Sequence, residues 1–454
     1  MDLFGTAGIR GPVDDVVTPE LALAVGRAVG RDAATVVVGR DGRVTGPGLS
    51  AALEAGITSA GADVHRLGVV PTAAVAHASR GRRGIAVTAS HNPPADNGLK
   101  LFVDGREYDR ESERRVEARV EEDAGVASWA DWGTDRQGDV LEAYRGTVRD
   151  YAAGHGARPT DLVVAVDCGN GTGSLATPQV LTDLGASVRA LNANVDGHFP
   201  GRPSKPTPET VGDLRDFVAA GEAAIGFAHD GDADRIVVVG PDGEIVHEDT
   251  VLAVLAEHYV RASGAADPVV VTTPNASARV DERVAAAGGR VERVRLGALH
   301  EGITRVRRDG DAGTAVVFAA EPWKHVHPGL GPWIDGIASA AVLTRLVAAS
   351  SLRELTAPVT ERPYRKVSVD CPDAAKEAAM ATLEESLPAA FPDATVETDY
   401  GVRLTLPDGG WTLVRPSGTE PYLRIYAESE AVDDLVADVR RVVVDAIDEG
   451  PEGS

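Results

Sequence analysis

A pattern of apolar runs that recurs three times along the chain constrains the fold more than any other feature of the sequence. Each copy opens with a short Val-rich run, passes through a loop with Gly or Asn into an Ala-rich stretch, and reaches a second run after a Gly turn. Short apolar runs without alternation, separated by helical segments, are typical of buried parallel strands in βαβ units. The repeat therefore predicts three related α/β domains. The runs lie at residues 35–39, 162–166 and 268–272, and at residues 60–64, 184–188 and 287–291.

A third apolar run completes each copy, and a polar cluster follows it directly. In open α/β sheets, ligands bind beyond the carboxyl ends of the strands. If the three copies pack around one point, we expect their polar loops to share one cleft. Residues 84–88 precede Ser90, residues 224–228 precede Asp230, and residues 314–318 precede Glu321.

From about Arg365 onwards the pattern changes to a smaller α+β arrangement with an antiparallel sheet. Asp408, Gly409 and Gly410 lie between two apolar runs and indicate a β-hairpin. Strands are predicted at residues 366–370, 395–397, 403–406, 411–415 and 423–427, and helices at residues 374–387 and 432–447. We expect α/β domains with mixed sheets at residues 1–152, 153–250 and 251–362, and an α+β domain at residues 363–454.

The charge balance argues against two classes of partner. The 454-residue chain has a net charge of −24, whereas surfaces that bind nucleic acid or anionic membranes need basic patches. An acid excess with scarce lysine is typical of a high-salt cytoplasm, where salt screens self-repulsion, and we expect a halophilic archaeon as the source. The N-terminus has no signal-peptide pattern, and no apolar run reaches the roughly 20 residues of a membrane span. We therefore expect a cytoplasmic, soluble protein.

Three alternating carboxylates form a candidate metal site in the second copy. Asp230, Asp232 and Asp234 are separated by small residues that let the loop curl. All-oxygen ligation suits Mg²⁺, and carboxylates this close would repel each other strongly without a cation. An EF-hand does not fit, because its sixth position would be Arg235 instead of Gly and its twelfth Pro241 instead of Glu. The alternative is a solvated acidic turn.

Ser90 is a candidate phosphoryl carrier. It stands at a strand end before His91 and a turn stiffened by Pro93 and Pro94, an arrangement that presents its hydroxyl on a rigid backbone. Serine is a weak nucleophile unless a neighbour activates it, and loop serines commonly form turns or helix caps instead. The loop by itself leaves both interpretations open.

A further polar loop near the C-terminus offers hydroxyl groups, backbone donors and guanidinium forks, which together suit a phosphate group. An ordinary turn between two strands is the alternative. The candidate phosphate-binding residues are Arg415, Ser417, Gly418, Thr419 and Arg424.

Four of these segments together resemble the α-D-phosphohexomutase superfamily, which comprises phosphoglucomutases, phosphomannomutases and phosphoglucosamine mutases. The resemblance covers essentially the whole chain, and the motifs occur in the family's order. The matching segments are Phe4-Gly-Thr-Ala-Gly-Ile-Arg10-Gly11, Thr88-Ala-Ser90-His91-Asn92-Pro93, Asp230-Gly-Asp232-Ala-Asp234-Arg235 and Arg415-Pro-Ser417-Gly418-Thr419-Glu420.

The resemblance implies four domains around a cleft and a role for each matching residue. Ser90 would be the phosphoserine, and Mg²⁺ would be held by Ser90 together with Asp230, Asp232 and Asp234. The transfer site would be lined by Arg10, His91, Lys100 and Arg235, and the sugar would be contacted by Arg235, Glu321, Lys324 and His325. The second phosphate would lie against Arg415, Ser417, Gly418, Thr419 and Arg424.

One loop departs from the family pattern. The sugar-binding loop of the family usually reads Gly-Glu-x-Ser-Gly-His, whereas this chain has Ala320-Glu321-Pro322-Trp323-Lys324-His325. Trp323 replaces the Ser and Lys324 replaces the second Gly. The change leaves the preferred sugar open and raises the hypothesis that Trp323 and Lys324 alter what is accepted at the sugar ring.

The implied activity is a mutase that interconverts a sugar 1-phosphate and 6-phosphate through a sugar bisphosphate, with Lys100 or His91 as general base. Glucosamine, mannose and glucose phosphates are the expected substrates of this monomeric or homodimeric enzyme. The alternatives are a pentose phosphate mutase of the same family, a metal-dependent sugar phosphatase and a non-catalytic sugar-phosphate sensor. Retention of Ser90, the Asp loop and Lys100 together argues against the sensor.

Overall fold

The computed structural model describes residues 3–5, 8–123, 125–221, 223–417 and 420–448. The chain forms two compact units, residues 1–251 with 316–356, and residues 252–315 with 357–454. The fold is α/β with mixed sheets, as predicted. The division into four domains at residues 152, 250 and 362 stays a prediction. In the described part of the chain, no helix is long and apolar enough to cross a membrane.

The first copy of the repeat forms a mixed sheet in the first unit. Its strand order is β1-β5-β4-β2-β3-β7, with β6 beside β5, and β2 pairs in parallel with both β3 and β4. The three predicted runs thus become neighbouring parallel strands, and β4 leads into the Ser90 loop. The elements are β1 (Ile9–Pro12), α1 (Pro19–Gly30), β2 (Thr35–Arg40), α2 (Gly46–Ser59), β3 (Asp63–Val69), α3 (Thr72–Ala78), β4 (Arg83–Val87), β5 (Asp96–Val103), β6 (Arg106–Glu107), α4 (Arg110–Glu121), β7 (Asp135–Gln137) and α5 (Leu141–Ala153).

The second copy forms a five-stranded sheet in the same unit. Its order is β12-β11-β10-β8-β9, and β8 pairs in parallel with β9 and β10, as the repeat predicts. Strand β10 leads directly into the Asp loop. The elements are β8 (Val163–Asp167), α6 (Thr177–Leu184), β9 (Ser187–Leu191), α7 (Gly212–Ala220), β10 (Ile225–Ala228), β11 (Val237–Val239), β12 (Ile245–Val246) and α8 (Glu248–Ala262).

The third copy is divided between the units. Strands β13 and β14 pair in parallel within the second unit, and β15 and β16 form an antiparallel hairpin whose paired residues belong to the first. That hairpin carries the departing sugar loop. The elements are β13 (Asp267–Thr272), α9 (Ala278–Ala286), β14 (Arg290–Arg293), α10 (Leu299–Asp309), β15 (Thr314–Glu321), β16 (Lys324–Val326), α11 (Gly336–Ala349) and α12 (Leu352–Thr356).

The C-terminal stretch has the predicted α+β arrangement. Its sheet order is β17-β21-β20-β19-β18, with antiparallel pairing throughout. The predicted hairpin turn is present, because Leu406 N donates to Gly410 O at 2.7 Å and Gly409 has a φ of +83°. The elements are β17 (Tyr364–Asp370), α13 (Lys376–Ala390), β18 (Thr395–Glu397), β19 (Val402–Thr405), β20 (Trp411–Pro416), β21 (Tyr422–Glu428) and α14 (Val432–Asp448).

A buried carboxylate joins α5 to α11 within the first unit. Asp335 caps α11, and its Oδ1 accepts from Ala338 N at 2.9 Å. The same carboxylate accepts from Tyr144 OH at 2.9 Å and from Trp333 Nε1 at 3.0 Å. All four donors and acceptors are buried, so each group depends on the others.

Replacing Asp335 by Ala should lower the free energy of unfolding by about 3 kcal/mol. The change removes a helix cap and leaves the Tyr144 and Trp333 donors buried without an acceptor. Tyr144→Phe is the matched control, because it removes one hydrogen bond, keeps the ring, and should cost about 1 kcal/mol. Urea denaturation followed by circular dichroism measures both. A loss for Asp335→Ala that is no larger than for the control contradicts this account.

Candidate active site

The structure brings the Ser90 hydroxyl to the Asp loop. Ser90 is fully buried, and its Oγ donates to Asp230 Oδ2 at 2.5 Å and lies 3.5 Å from Asp234 Oδ1. Its φ of +51° is in the left-handed region, which a side chain other than Gly adopts at some cost in energy. Ser90 N donates to Thr88 Oγ1 at 2.9 Å. The loop geometry therefore fixes the hydroxyl against the carboxylates.

Arg43, which the sequence analysis did not identify, holds the Ser90 loop. Its guanidinium is fully buried and donates to Ser90 O at 2.9 Å, Pro93 O at 2.5 Å and Asp96 O at 2.9 Å. Arg43 Nε in turn donates to Asp41 Oδ2 at 3.0 Å. The signal in the sequence is the charged loop Asp41-Gly42-Arg43, which follows a buried strand and so stands at the sheet edge where polar loops lie.

Ser204 and Thr72 are two further contacts that the sequence analysis missed. Ser204 Oγ donates to Ser90 O at 2.8 Å and accepts from Gly231 N at 3.0 Å, so it joins the Ser90 loop to the Asp loop. Thr72 Oγ1 donates to Asp232 Oδ2 at 2.6 Å. Neither residue has a local sequence signature, because its role depends on contacts far along the chain.

The three carboxylates of the Asp loop converge in the protein interior. Oxygens of Asp230, Asp232 and Asp234 lie within 4.8 Å of one another, and all three residues are fully buried. Burial raises the pKa of Asp232 to about 7, and the charges of Asp234 and Asp230 act in the same direction. Asp232 Oδ1 is buried and has no hydrogen-bond partner among the described residues. This donor set fits a hard divalent cation such as Mg²⁺.

Lys100 and Arg10 place positive charge beside these carboxylates. Lys100 Nζ lies 2.8 Å from Asp234 Oδ2 and 3.2 Å from Glu107 Oε1. Burial alone would lower the pKa of Lys100, but the carboxylates of Asp234 and Glu107 outweigh burial and raise it. Arg10, on β1, has a buried Nη2 without a hydrogen-bond partner among the described residues. Lys100 is thus a fixed cation, which argues against it as a base.

His91 lies next to the Ser90 hydroxyl as a neutral imidazole. Its Nδ1 is 3.4 Å from Ser90 Oγ. Burial, together with the charges of Arg235 and Arg10, lowers the pKa of His91 to about 3. A neutral ring can accept a proton, so His91 fits the role of a base better than Lys100 does.

The departing sugar loop is attached to the chain just after the Asp loop. Ile236 N donates to Trp323 O at 3.1 Å, and Lys324 and Arg235 form an antiparallel bridge. Trp323 has a φ of +69°, which is strained for a bulky residue. Its side chain packs against the apolar core around Val211, Leu214 and Val239, and this packing offsets the strain. Trp323 is thus half-buried and packs on the core of the second copy.

A hydrogen bond to Ser339 fixes the tautomer of His325, so that the Nε2 of this ring is a hydrogen-bond acceptor. Ser339 Oγ donates to Asp335 O at 3.0 Å and lies 3.0 Å from His325 Nδ1 and 2.9 Å from His327 Nε2. A hydroxyl carries one proton and two acceptor sites, so both imidazoles donate to it. Burial lowers the pKa of His325 to about 3. The Nε2 of His325, which has no hydrogen-bond partner in the described ranges, therefore presents a lone pair.

The predicted phosphate loop belongs to the second unit. Gly418 and Thr419 lie outside the described residues. Arg415 Nη2 donates to Tyr426 OH at 2.8 Å, and the Arg424 guanidinium lies 4.9 Å from the Tyr422 ring. Lys376, which the sequence analysis did not identify, donates to Ser417 O and Glu420 O at 2.7 Å each.

Comparison with known proteins identifies the family. Family models described as phosphoglucomutase/phosphomannomutase match the chain as α/β/α domain I at residues 1–126, α/β/α domain II at residues 149–243 and the C-terminal domain at residues 367–446. A phosphopentomutase of Thermococcus kodakarensis is 41% identical over 437 residues, with 94% of each chain covered. The chain belongs to the α-D-phosphohexomutase superfamily. The family prediction from the four motifs is thereby confirmed.

Two further relatives agree with this assignment. A protein of Methanopyrus kandleri named "Probable phosphoglucosamine mutase" is 39% identical over 459 residues, covering 97% of this chain and 98% of its own. The crystal structure of a phosphoglucomutase/phosphomannomutase family protein from Burkholderia thailandensis covers 98% of both chains with a TM-score of 0.84 at 28% identity. This superfamily member is an enzyme, a phosphotransferase of the mutase type.

Proposed function

We propose that this phosphomutase moves a phosphoryl group between two positions of a sugar phosphate by way of Ser90. The observation that carries the proposal is the 2.5 Å hydrogen bond from Ser90 Oγ to Asp230 Oδ2 inside a loop of three buried carboxylates. A structural turn serine would not need three acidic groups around its hydroxyl. Phosphorylated Ser90 would donate its phosphoryl group to the substrate, and the second phosphate of the resulting bisphosphate would return to Ser90.

The residues around Ser90 suit the demands of phosphoryl transfer. Asp230, Asp232 and Asp234, with the Ser90 oxygen, would hold Mg²⁺, which when bound neutralises charge on the phosphoryl oxygens. Lys100 adds a positive charge that its ion pair with Asp234 fixes in place. Positioning and charge neutralisation supply most of the catalysis in this type of reaction.

We propose that His91 accepts the proton of the sugar hydroxyl that takes up the phosphoryl group. It is neutral, its Nδ1 lies 3.4 Å from Ser90 Oγ, and Lys100 is held as a cation by two carboxylates. The charges of Arg10 and Arg235 disfavour the protonated form of His91. His91 is therefore a weak base outside the substrate complex.

The proposal predicts that phosphate stays on sugar or enzyme during turnover. Incubation with a sugar 1,6-bisphosphate should place one phosphate on the peptide containing residues 88–100, and mass spectrometry detects it. During conversion of a sugar 1-phosphate, inorganic phosphate should remain far below the amount of product formed. Release in step with substrate loss would instead identify a phosphatase, and binding without conversion over a broad panel would identify a sensor.

The names of the relatives indicate the range of sugars among which the preferred substrate lies. The two relatives above carry the names of a pentose and of a glucosamine phosphate mutase. We propose that the substrate is a hexose or pentose 1-phosphate of this range. Measured kcat/KM for glucosamine, mannose, glucose and ribose 1-phosphates, each primed with its own bisphosphate, ranks them. Equal values for all four would mean that the sugar loop does not select among them.

A further inference from the structure

Lys324 is a buried ammonium group whose charge is not balanced by a direct contact. Only 9% of the residue is exposed. In the ranges that the structure describes, its Nζ forms no ion pair within 4.0 Å and no hydrogen bond. Burial lowers the pKa of Lys324, and the carboxylates of Asp234 and Glu321 oppose this shift from beyond ion-pair distance. A largely buried charge without a direct partner is costly, and an anion bound beside it lowers that cost. An anion at this place would therefore favour the charged form of Lys324.

The backbone of Lys324 lies beside the Asp loop that contacts Ser90. Lys324 pairs with Arg235, the residue directly after Asp234, and Trp323 O accepts from Ile236 N at 3.1 Å. The Lys324 charge is felt by Asp234 and also by His91, the neighbour of Ser90. Lys324 thus lies beside the transfer site, although its loop is the one that matches the family's sugar-binding loop.

Two other cations at the same place also have unused donors. Arg10 Nη2 and Arg235 Nε are buried without hydrogen-bond partners among the described residues, and Arg235 reaches Asp230 only at 3.9 Å. Both guanidinium groups act on His91 together with Lys324. Three cations that act on His91, the neighbour of Ser90, suit a doubly charged group, and a phosphoryl group on Ser90 brings about −1.5 to −2 charges.

We propose that Lys324 binds the peripheral oxygens of the phosphoryl group in transit at Ser90 and not the sugar ring. This inference rests on the proposed function. In the transfer, the P–O bond to Ser90 breaks, a P–O bond to a sugar hydroxyl forms, and the hydroxyl proton passes by way of His91 to Ser90 Oγ. Lys324 acts on the three oxygens that keep their bonds to phosphorus, which are the same for every sugar.

The test compares Lys324→Met with Lys324→Arg in the full-length enzyme. For Lys324→Met, kcat/KM should fall by about 10²-fold, by the same factor for each sugar 1-phosphate that the wild type accepts. Lys324→Arg should recover most of the loss, because it restores the charge. Arg114→Met, which removes an exposed cation of the first unit, is the control and should leave kcat/KM unchanged.

A second measurement is made on the phosphorylated enzyme without any sugar present. The phosphorylated enzyme, freed of sugar, should show a changed ³¹P chemical shift and slower loss of phosphate in Lys324→Met than in the wild type. A loss of kcat/KM confined to particular sugars, with both phosphoserine properties unchanged, would show that Lys324 contacts the ring and would overturn the inference. If the wild type takes no phosphate from a bisphosphate, the proposed function fails first, and the inference fails with it.

Discussion

Replacing Ser90 by Ala should reduce mutase turnover by at least about 10³-fold, because the phosphoryl group then has no carrier on the enzyme. The expected loss appears in kcat at saturating substrate and bisphosphate, measured by a coupled assay for the product phosphate ester. In this variant Asp230 loses its hydrogen-bond donor, and the longer contacts of Ser90 Oγ with His91 Nδ1 at 3.4 Å and Asp234 Oδ1 at 3.5 Å are lost as well.

Ser204→Ala is the graded control for this experiment. Ser204 donates to the Ser90 carbonyl and accepts from Gly231 N, so its removal loosens the loop and leaves the hydroxyl in place. We expect a smaller loss of kcat than for Ser90→Ala and normal phosphorylation on the 88–100 peptide. Turnover of Ser90→Ala within tenfold of the wild type would reject Ser90 as carrier.

The strand ends that carry Ser90, Asp230 and Glu321 could be predicted because the repeat is local information. Apolar runs of five residues mark buried strands, and a polar cluster directly after such a run stands at a sheet edge. The structure places the Ser90 and Asp230 clusters in hydrogen-bond contact. The same reasoning, applied to the first strand of each copy, would have pointed to Asp41 and Arg43.

Other contacts, in the site and in the fold around it, depend on residues that no local pattern brings together. Thr72 reaches Asp232 from 160 positions away, and Tyr144 reaches Asp335 from 191 positions away. A lone threonine or tyrosine in an amphipathic segment is compatible with many environments. Such partners are determined by how the helices pack, which is a property of the complete fold.

For the sugar loop, the sequence predicts an unusual loop but not where its side chains lie. The departure at Trp323 and Lys324 was visible against the family pattern, and its interpretation as an altered sugar contact was a hypothesis. In the structure, Trp323 packs on the apolar core of the second copy, and Lys324 bridges to Arg235. Residue type indicates that the loop is unusual, but only the structure shows that Lys324 pairs with Arg235, directly after Asp234.

Removal of Mg²⁺ should abolish activity, and its return should restore it, if the Asp loop holds the ion that the transfer requires. Thermal denaturation provides a readout that is independent of activity. The wild type should melt at a higher temperature in Mg²⁺ than in chelator, because an ion that binds only the folded state at about 100 times its Kd stabilises by about 2.7 kcal/mol. Activity indifferent to chelator would remove the Asp loop from the transfer site.

Asp232→Asn separates a metal site from a structural acidic cluster. Burial and the charges of Asp234 and Asp230 disfavour the Asp232 carboxylate, so the neutral amide should stabilise the metal-free protein, by about 2 kcal/mol. Asn keeps an oxygen that can accept from Thr72 Oγ1. The variant should therefore melt higher than the wild type in chelator, gain little from added Mg²⁺, and lose at least about 10²-fold in turnover. An equal response of both proteins to Mg²⁺ would show that Asp232 is not a ligand, because a carboxylate that binds the ion cannot become neutral without weakening its binding.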